Sequence, residues 1–383
     1  MRIAYMLGSL NRGGTETLLL DVFRNAGKKK LDAIGLFRKS GVLESDFRES
    51  GLVMIKVIPG KWPMGYILRL RKLLLKNNVT IAHAQQPIDA LYAWMACFGT
   101  KIKVIQTQHG YDFSENKLGN LILRFIIRRT DTNIYVSDTQ RQYYQDKYHL
   151  NPGKQKMVYN GISFDKLDGF DTRNATKSIT SDTNKSALRN ELQLHFNTLL
   201  IGAVGNFNNV RDQLTTCRFL KLLNDQKIDF HFVFVGKRIE REPQLYDDCL
   251  NYCSENGLTK KVTFLGSRND VPEILQQLDA FIYSTNHDTF GIAVVEAMAV
   301  GIPVFVNDWG VMSEITENGK YATLYKTKDE HDLLQQFMLF LQNKSVYQDK
   351  ARQASVFVRE RYLIEKHIEV LKEVYERLTI SDK

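Results

Sequence analysis

The stretch "NHDTFGIAVVEAMAVGIPV", residues 286–304, sets Asp288 and Glu296 eight positions apart with Gly291 between them. "LDAFIYS" before it reads as a strand, "TNHDTFG" as its exit loop and "IAVVEAMAV" as a helix starting near Gly291. At such a start the amides of Phe290, Gly291 and Ile292 lack intrahelical acceptors, and with the helix dipole they form a site for a phosphate group. Gly291 lets the ligand come close. Glu296, more than one turn in, turns a carboxylate toward hydroxyls beside that phosphate, and Asp288 reaches its other side. Two acids flanking one phosphate suit a ligand with hydroxyls at both ends, a nucleoside diphosphate sugar. The plainer reading makes Asp288 a helix cap and Glu296 a solvated helix acid. Against it, Val294, Val295, Ala297, Met298, Ala299 and Val300 surround Glu296 with apolar side chains, where a carboxylate requires partners.

The elements that must position these residues follow a βα rhythm. "RIAYML", "AIGLF", "VMIKVI", "VTIAH", "KVIQTQ" and "TNIYVS" alternate with amphipathic segments such as "ETLLLDVFRNA" and "YILRLRKLLLK", as expected of a parallel sheet covered by helices. "DTRNATKSITSDTNKS", residues 171–186, is almost devoid of apolar side chains and reads as a linker. The pattern then restarts with "TLLIGAVG", "FHFVFVG", "KVTFLG", "LDAFIYS" and "IPVFV". The expected organisation is an α/β fold of two Rossmann-like domains with parallel sheets facing across a cleft. Residues 1–168 form the first domain, 169–187 the polar linker, 188–355 the second domain and 356–383 a C-terminal helical segment. Ligands of such sheets bind at the carboxyl ends of the strands.

Composition narrows the partners without choosing among them. The 383 residues are 43% hydrophobic and 25% charged, enough for two cores. Lys plus Arg number 52 against 43 Asp plus Glu, and the net charge of +9 favours phosphorylated ligands, nucleic acid or an acidic membrane surface. Cys97, Cys217, Cys249 and Cys253 show neither a disulfide framework nor a C-x-x-C knuckle, which fits a reducing compartment. The N-terminal run reads as a buried strand rather than a signal peptide, and no apolar run reaches the length of a membrane span. G-x-x-x-x-G-K-[ST], G-x-S-x-G and H-E-x-x-H are absent, and the histidines do not cluster at metal-ligand spacing. Two basic amphipathic stretches, 66–77 and 118–130, either cover the sheet or dock on anionic lipid. Ordinary packing of their apolar stripes is expected, with outer Arg and Lys giving a loose electrostatic attraction.

"STNHDTFGIAVVEAMAVGIPVFV" closely resembles the E-x7-E region of the retaining glycosyltransferases of family 4, with their GT-B fold, and "NRGGTETLLLDV", "QTQHGYDF", "VYNGISFD" and "VTFLGSRNDVPEIL" resemble further elements of that family. Asp288 takes the first acidic position and Glu296 the second. The resemblance implies that Glu296 bonds the donor ribose, that Asp288 faces the transferred sugar, and that His109 contacts that sugar near the reacting carbon. It also implies that amides at Gly13 and Gly14 meet the diphosphate and that the C-terminal helix crosses back to the first domain. "AVGNFNNVRDQL" departs from the family pattern: Asn206 stands where Arg is usual and Arg211 where Lys is usual. Arg211 keeps one cation for the departing diphosphate; for the other, either a cation such as Lys237 or Arg268 compensates or the donor is handled differently.

The activity implied is retaining, metal-independent transfer of a sugar from a nucleotide donor to a glycan or lipid-linked glycan acceptor in bacterial surface polysaccharide assembly. Neither a cofactor nor a nucleic-acid partner is expected. The location implied is cytoplasmic, with loose contact to an anionic membrane face. Two other functions stay open from the sequence. One is a nucleotide-sugar epimerase of the same fold. The other is a catalytically silent nucleotide-sugar-binding subunit, kept alive by Asn206 and Asp288.

Overall fold

The computed structural model describes residues 1–60, 62–113, 117–164 and 187–380. The expected linker, 169–187, lies outside the described residues except for its last position. The chain divides into two units, Met1–Ser163 with Tyr362–Lys383, and Phe164–Arg361.

The first unit is built on strands β1 (Ile3–Ser9), β2 (Ala33–Lys39), β3 (Val53–Lys56), β4 (Ile81–Ala84), β5 (Lys103–Gln108), β6 (Thr132–Tyr135) and β7 (Gln155–Met157). They form one parallel sheet in the order β3-β2-β1-β4-β5-β6-β7. Its helices are α1 (Gly14–Ala26), α2 (Glu44–Glu49), α3 (Pro63–Lys76), α4 (Pro87–Cys97), α5 (Lys117–Ile126) and α6 (Asp138–Tyr148). Alternation along β1 assigns its faces: Ile3, Tyr5 and Leu7 pack with Leu18, Val22 and Phe23 of α1, whereas Ala4 and Met6 pack with Leu70 and Leu74 of α3 and Ala93 of α4. Both faces are covered, so the strands carry near-continuous apolar runs.

The second unit has strands β8 (Leu199–Val204), β9 (Phe230–Val235), β10 (Val262–Gly266), β11 (Ala280–Tyr283), β12 (Val304–Asn307) and β13 (Thr323–Tyr325). Their order is β10-β9-β8-β11-β12-β13, again parallel throughout. Its helices are α7 (Ala187–Glu191), α8 (Gln213–Asp225), α9 (Pro243–Glu255), α10 (Val271–Gln277), α11 (Ile292–Val300), α12 (Gly310–Ile315), α13 (Glu330–Gln342) and α14 (Lys344–Arg361). Cys217, Cys249 and Cys253 are buried thiols of this core, without a disulfide.

The last helix, α15 (Ile364–Ile380), returns to the first unit as expected, with Ile364, Ile368, Leu371 and Tyr375 in the same core as α1. It is seated by an isolated bridge, Ile162 to Leu363, and by polar bonds unusual for a buried face. Tyr375 Oη lies 2.8 Å from Tyr5 Oη and 2.7 Å from His83 Nδ1, and His83 Nε2 lies 2.7 Å from Thr107 Oγ1. The expected second-domain limit at residue 355 falls inside α14, which packs on α11 and belongs to the second unit.

The basic stretches become α3 and α5, and their packing differs from the expectation. Tyr66, Ile67, Leu70 and Leu74 face inward, but Leu68, Leu75, Leu118, Leu121 and Phe125 are exposed. The apolar residues of these helices exceed what one sheet-facing stripe holds, so the surplus lies outward among the Arg and Lys.

Candidate functional site

In the second unit the strand order reverses between β8 and β11, and the loops leaving these two strands carry Arg211 and Asp288. Such a switch point opens a crevice at the carboxyl ends of the strands. The two loops are tied together by backbone. Asp212 N donates to Ser284 O at 3.1 Å, Asn286 N donates to Val210 O at 2.8 Å, and Arg211 bridges Thr285. Asn307 at the end of β12 holds Thr285 from both sides: its Oδ1 accepts from Thr285 N and its Nδ2 donates to Thr285 O, each at 2.9 Å.

On this frame the Arg211 guanidinium lies over the Tyr283 ring, 4.3 Å from its centroid, and Nη1 donates to Asp288 Oδ2 at 2.6 Å. Tyr283 Oη donates to the same oxygen. Asp288 Oδ1 accepts from Thr289 N at 2.7 Å and Phe290 N at 3.3 Å. The arginine and aspartate side chains are only 18% and 14% exposed, so their attraction is poorly screened. Burial pulls the Arg211 guanidinium below its usual range, and Asp288 opposes that shift. Asp288 is further held by its own amide, which donates to Thr285 Oγ1 at 3.1 Å, and by Trp309 Nε1, which donates to its carbonyl at 3.1 Å. The cluster is a preorganised cation with its counter-charge already in place.

This arrangement corrects one part of the phosphate site read from the sequence. The Phe290 amide points at the Asp288 carboxylate, and Phe290 itself is buried. The donors without a backbone acceptor shift one place along the chain. Gly291, at φ 81°, is the N-cap of α11, and Val294 and Val295 amides close onto its carbonyl at 3.0 and 3.3 Å. The amides of Gly291, Ile292 and Ala293 therefore stand at the helix start without a backbone acceptor among the described residues. Glu296 is half-buried one turn further, in a helix where Val294, Val295, Ala297, Met298 and Ala299 are all buried.

Two further expected residues, Asn206 and Arg268, belong to the second unit. Asn206 follows β8, and its Oδ1 accepts from Lys237 N at 3.1 Å, so it links two loops and contributes no charge. The Arg268 guanidinium is engaged by Asp270 at 2.7 Å and Glu191 at 2.8 Å, which raise its pKa.

In the first unit, Gly14 opens α1 as expected, with Gly13 in extended backbone before it. A Cβ on Gly13 would lie 2.6 Å from Glu16 Oε2, so the acid of that turn folds over the glycine. His109 follows β5, and its Nε2 meets Gln85 Oε1 at 2.8 Å. Burial first, and then His367, lower its pKa to about 4, which keeps the ring neutral near pH 7. It lines a cavity of about 540 Å³ with Gln85, Thr107, Gln108, Asp112 and Leu118. The side-chain nitrogens of Gln85 and Gln108 are buried without a partner among the described residues. Sequence reasoning missed Tyr283, Asn307, Gln85 and Gln108. Each lies at a strand's carboxyl end, the one signal that marked them, yet each reads locally as ordinary strand.

Comparison with known proteins places both halves of the chain. The model described as "Glycosyl transferases group 1" matches residues 184–356, and that described as "Glycosyltransferase Family 4" matches residues 12–166. N-acetyl-alpha-D-glucosaminyl L-malate synthase of Bacillus anthracis is 23% identical over 325 residues, covering 82% of this chain and 79% of the relative. The UDP-Gal:alpha-D-GlcNAc-diphosphoundecaprenol alpha-1,3-galactosyltransferase of Escherichia coli is 24% identical over 256 residues, 64% of this chain and 62% of the relative. Among solved structures, Anabaena Alr3699/HepE in complex with UDP and glucose superposes with a TM-score of 0.85 at 17% identity, covering 98% of this chain and 100% of the other.

Proposed function

Since the two family models between them span both units, the chain belongs to the group 1 glycosyltransferases of GT-B fold, and from that premise we propose a retaining, metal-independent transfer from a nucleoside diphosphate sugar to a glycan or lipid-linked glycan acceptor. The observation that carries this reading is the Arg211–Asp288–Tyr283 cluster beside the start of α11, where three amides lack a backbone acceptor among the described residues. The diphosphate takes the amides of Gly291, Ile292 and Ala293 and competes with Asp288 for the Arg211 fork. As the glycosidic bond breaks, charge grows on the leaving phosphate, and the guanidinium, seated over the Tyr283 ring, stabilises it. Asp288 thereby acts on Arg211 as a positioning residue, in addition to the sugar-facing role implied by resemblance. Glu296 bonds the ribose hydroxyls. His109, neutral at working pH, contacts the transferred sugar.

The acceptor is assigned to the first unit's cavity, whose unpartnered Gln85 and Gln108 nitrogens suit sugar or phosphate oxygens. Uridine nucleotides are the first donors to test, because the structural relative HepE holds UDP. A location at the cytoplasmic face of a membrane accords with a lipid-linked acceptor, as named for the Escherichia coli relative.

A thermal-shift panel of UDP, GDP, ADP and their sugars tests the donor class, since a ligand bound only by the folded state raises the melting temperature. One base series should stabilise the protein. Proton NMR of the product formed on a water-soluble acceptor should then show the donor's anomeric configuration. Inversion contradicts the retaining mechanism, an epimerised donor without acceptor contradicts transfer, and stabilisation without hydrolysis or transfer marks a silent binder.

A further inference from the structure

We propose that one buried water, held by Gln85, Asn160 and His367, fixes which ring nitrogen of His109 carries the proton, so that these three are positioning residues for the sugar contact. The inference rests on the reading that His109 touches the transferred sugar, and its main readout is taken without substrate. Gln85, His109 and Asn160 follow β4, β5 and β7, so the parallel sheet brings them to the carboxyl ends of its strands. His109 Nε2 lies 2.8 Å from Gln85 Oε1, and a carboxamide oxygen only accepts, so Nε2 carries the proton and Nδ1 the lone pair. With the ring neutral near pH 7, this tautomer decides which edge of the imidazole donates and which accepts. A Gln85 carboxamide turned end for end would offer its nitrogen instead and select the opposite tautomer. Whatever holds Gln85 therefore sets His109.

Gln85 Nε2 and Asn160 Oδ1 are buried without a partner among the described residues, and the two residues are only 5% and 6% exposed. Both line a buried cavity of about 10 Å³ together with His83, Thr107, His109 and His367, a volume that suits a single water. His83 and Thr107 are paired with each other, Nε2 to Oγ1 at 2.7 Å, and His83 Nδ1 lies 2.7 Å from Tyr375 Oη. His367 presents the third group. Its Nδ1 donates to Tyr159 O at 2.6 Å, and burial lowers its pKa to about 4, so the ring is neutral and Nε2 keeps a lone pair. Helix α15 brings that ring against the Asn160 segment: a Cβ on the next residue, Gly161, would lie 2.7 Å from His367 Cβ. The hydrogens then balance. Asn160 Oδ1 and His367 Nε2 only accept and take both protons of the water, so the water in turn accepts from Gln85. Gln85 must turn its nitrogen to the water and its oxygen to His109, the orientation observed. Gln85 and His109 also line the larger cavity of about 540 Å³, so the water stands behind the proposed acceptor pocket.

The test is nitrogen NMR of the full chain carrying isotope-labelled histidine, at neutral pH and without ligand, which separates protonated from bare ring nitrogens. The His109 signals are those missing from His109→Ala. The unsubstituted chain should show His109 as Nε2–H. Asn160→Leu and His367→Phe each remove one acceptor and leave the water a proton to give, which lets Gln85 turn over, so both should populate the Nδ1–H form. Asn160→Asp keeps an acceptor oxygen and should hold Nε2–H. In Asn160→Leu, kcat for transfer should fall roughly tenfold with the donor KM nearly unchanged, and Asn160→Asp should recover it. Where Asn160→Leu does not fold, His367→Phe decides alone. An Nδ1–H signal in the unsubstituted chain, or Nε2–H retained in whichever of Asn160→Leu and His367→Phe folds, overturns the proposal. Transfer by His109→Ala at the unsubstituted rate overturns the sugar-contact reading instead, leaving the tautomer result standing.

Discussion

At the scale of single residues, the account rests on how completely Asp288 is occupied. One oxygen accepts from Arg211 and Tyr283, the other from two backbone amides. A carboxylate so used sets the guanidinium's place, and removing it frees Arg211 without removing the cation. Asp288→Ala should therefore lower kcat by one to two orders of magnitude while changing nucleotide affinity less than tenfold, whereas Arg211→Ala should lower both kcat and affinity, the former by roughly a hundredfold or more. Steady-state kinetics with direct titration of nucleotide separate the two, and equal effects on kcat and affinity in both variants contradict the positioning role. Tyr283→Phe removes one hydrogen bond to a charged group, a loss of about 1.5–3 kcal/mol, and should resemble a weaker Asp288→Ala. The acids were legible in the sequence because their spacing around a glycine is local. Their partners were not, since the Arg211–Asp288 pair spans 77 positions and Tyr283 reads as strand core until the loops are folded together.

At the scale of elements, the start of α11 is set by one backbone conformation. Gly291 takes φ 81°, and a Cβ there would lie 2.8 Å from Met312 Cε. Gly291→Ala should cost about 1–2 kcal/mol for the left-handed conformation, with the Met312 contact adding to it, and should weaken donor binding by displacing the amides beside it. A denaturant melt paired with a nucleotide titration checks this, and unchanged values for both contradict the proposed helix-start site. Most strands were legible from their apolar runs, because both sheet faces are covered. β7 (Gln155–Met157) and β13 (Thr323–Tyr325) were not, being three-residue edge strands too short for any period to register. The outward leucines of α3 and α5 escaped for a related reason: helical periodicity counts apolar residues but does not say how many a sheet will cover.

At the scale of the whole molecule, the closing helix α15 couples the chain's end to its first strand. Tyr375→Phe strips hydrogen bonds from Tyr5 and His83 and should destabilise the first unit by about 1–3 kcal/mol, read as a shift in its melting transition. Burial also holds His83 near a pKa of about 3 and His109 and His367 near about 4, below the ordinary value of 6.5. These groups are neutral in both states above about 6.5. As pH falls toward about 4, the unfolded chain takes up protons that the folded one refuses, so stability is lost across that window. Unfolding midpoints should drop progressively from pH 6.5 to 4.5, and a flat profile there contradicts the neutral buried histidines. The two-unit α/β architecture was legible from the repeat of βα rhythm, and the returning helix only through family resemblance, since no local pattern names the core a terminal helix will join.

The central claim is that a nucleoside diphosphate is held at the α11 start by the helix-start amides, Arg211 and Glu296. Calorimetric titration of the stabilising nucleoside diphosphate into the unsubstituted chain and Glu296→Ala tests it most directly. The account predicts saturable single-site binding that falls roughly a hundredfold or more in Glu296→Ala, with the variant's circular dichroism spectrum unchanged. Equal affinity in the two proteins contradicts it.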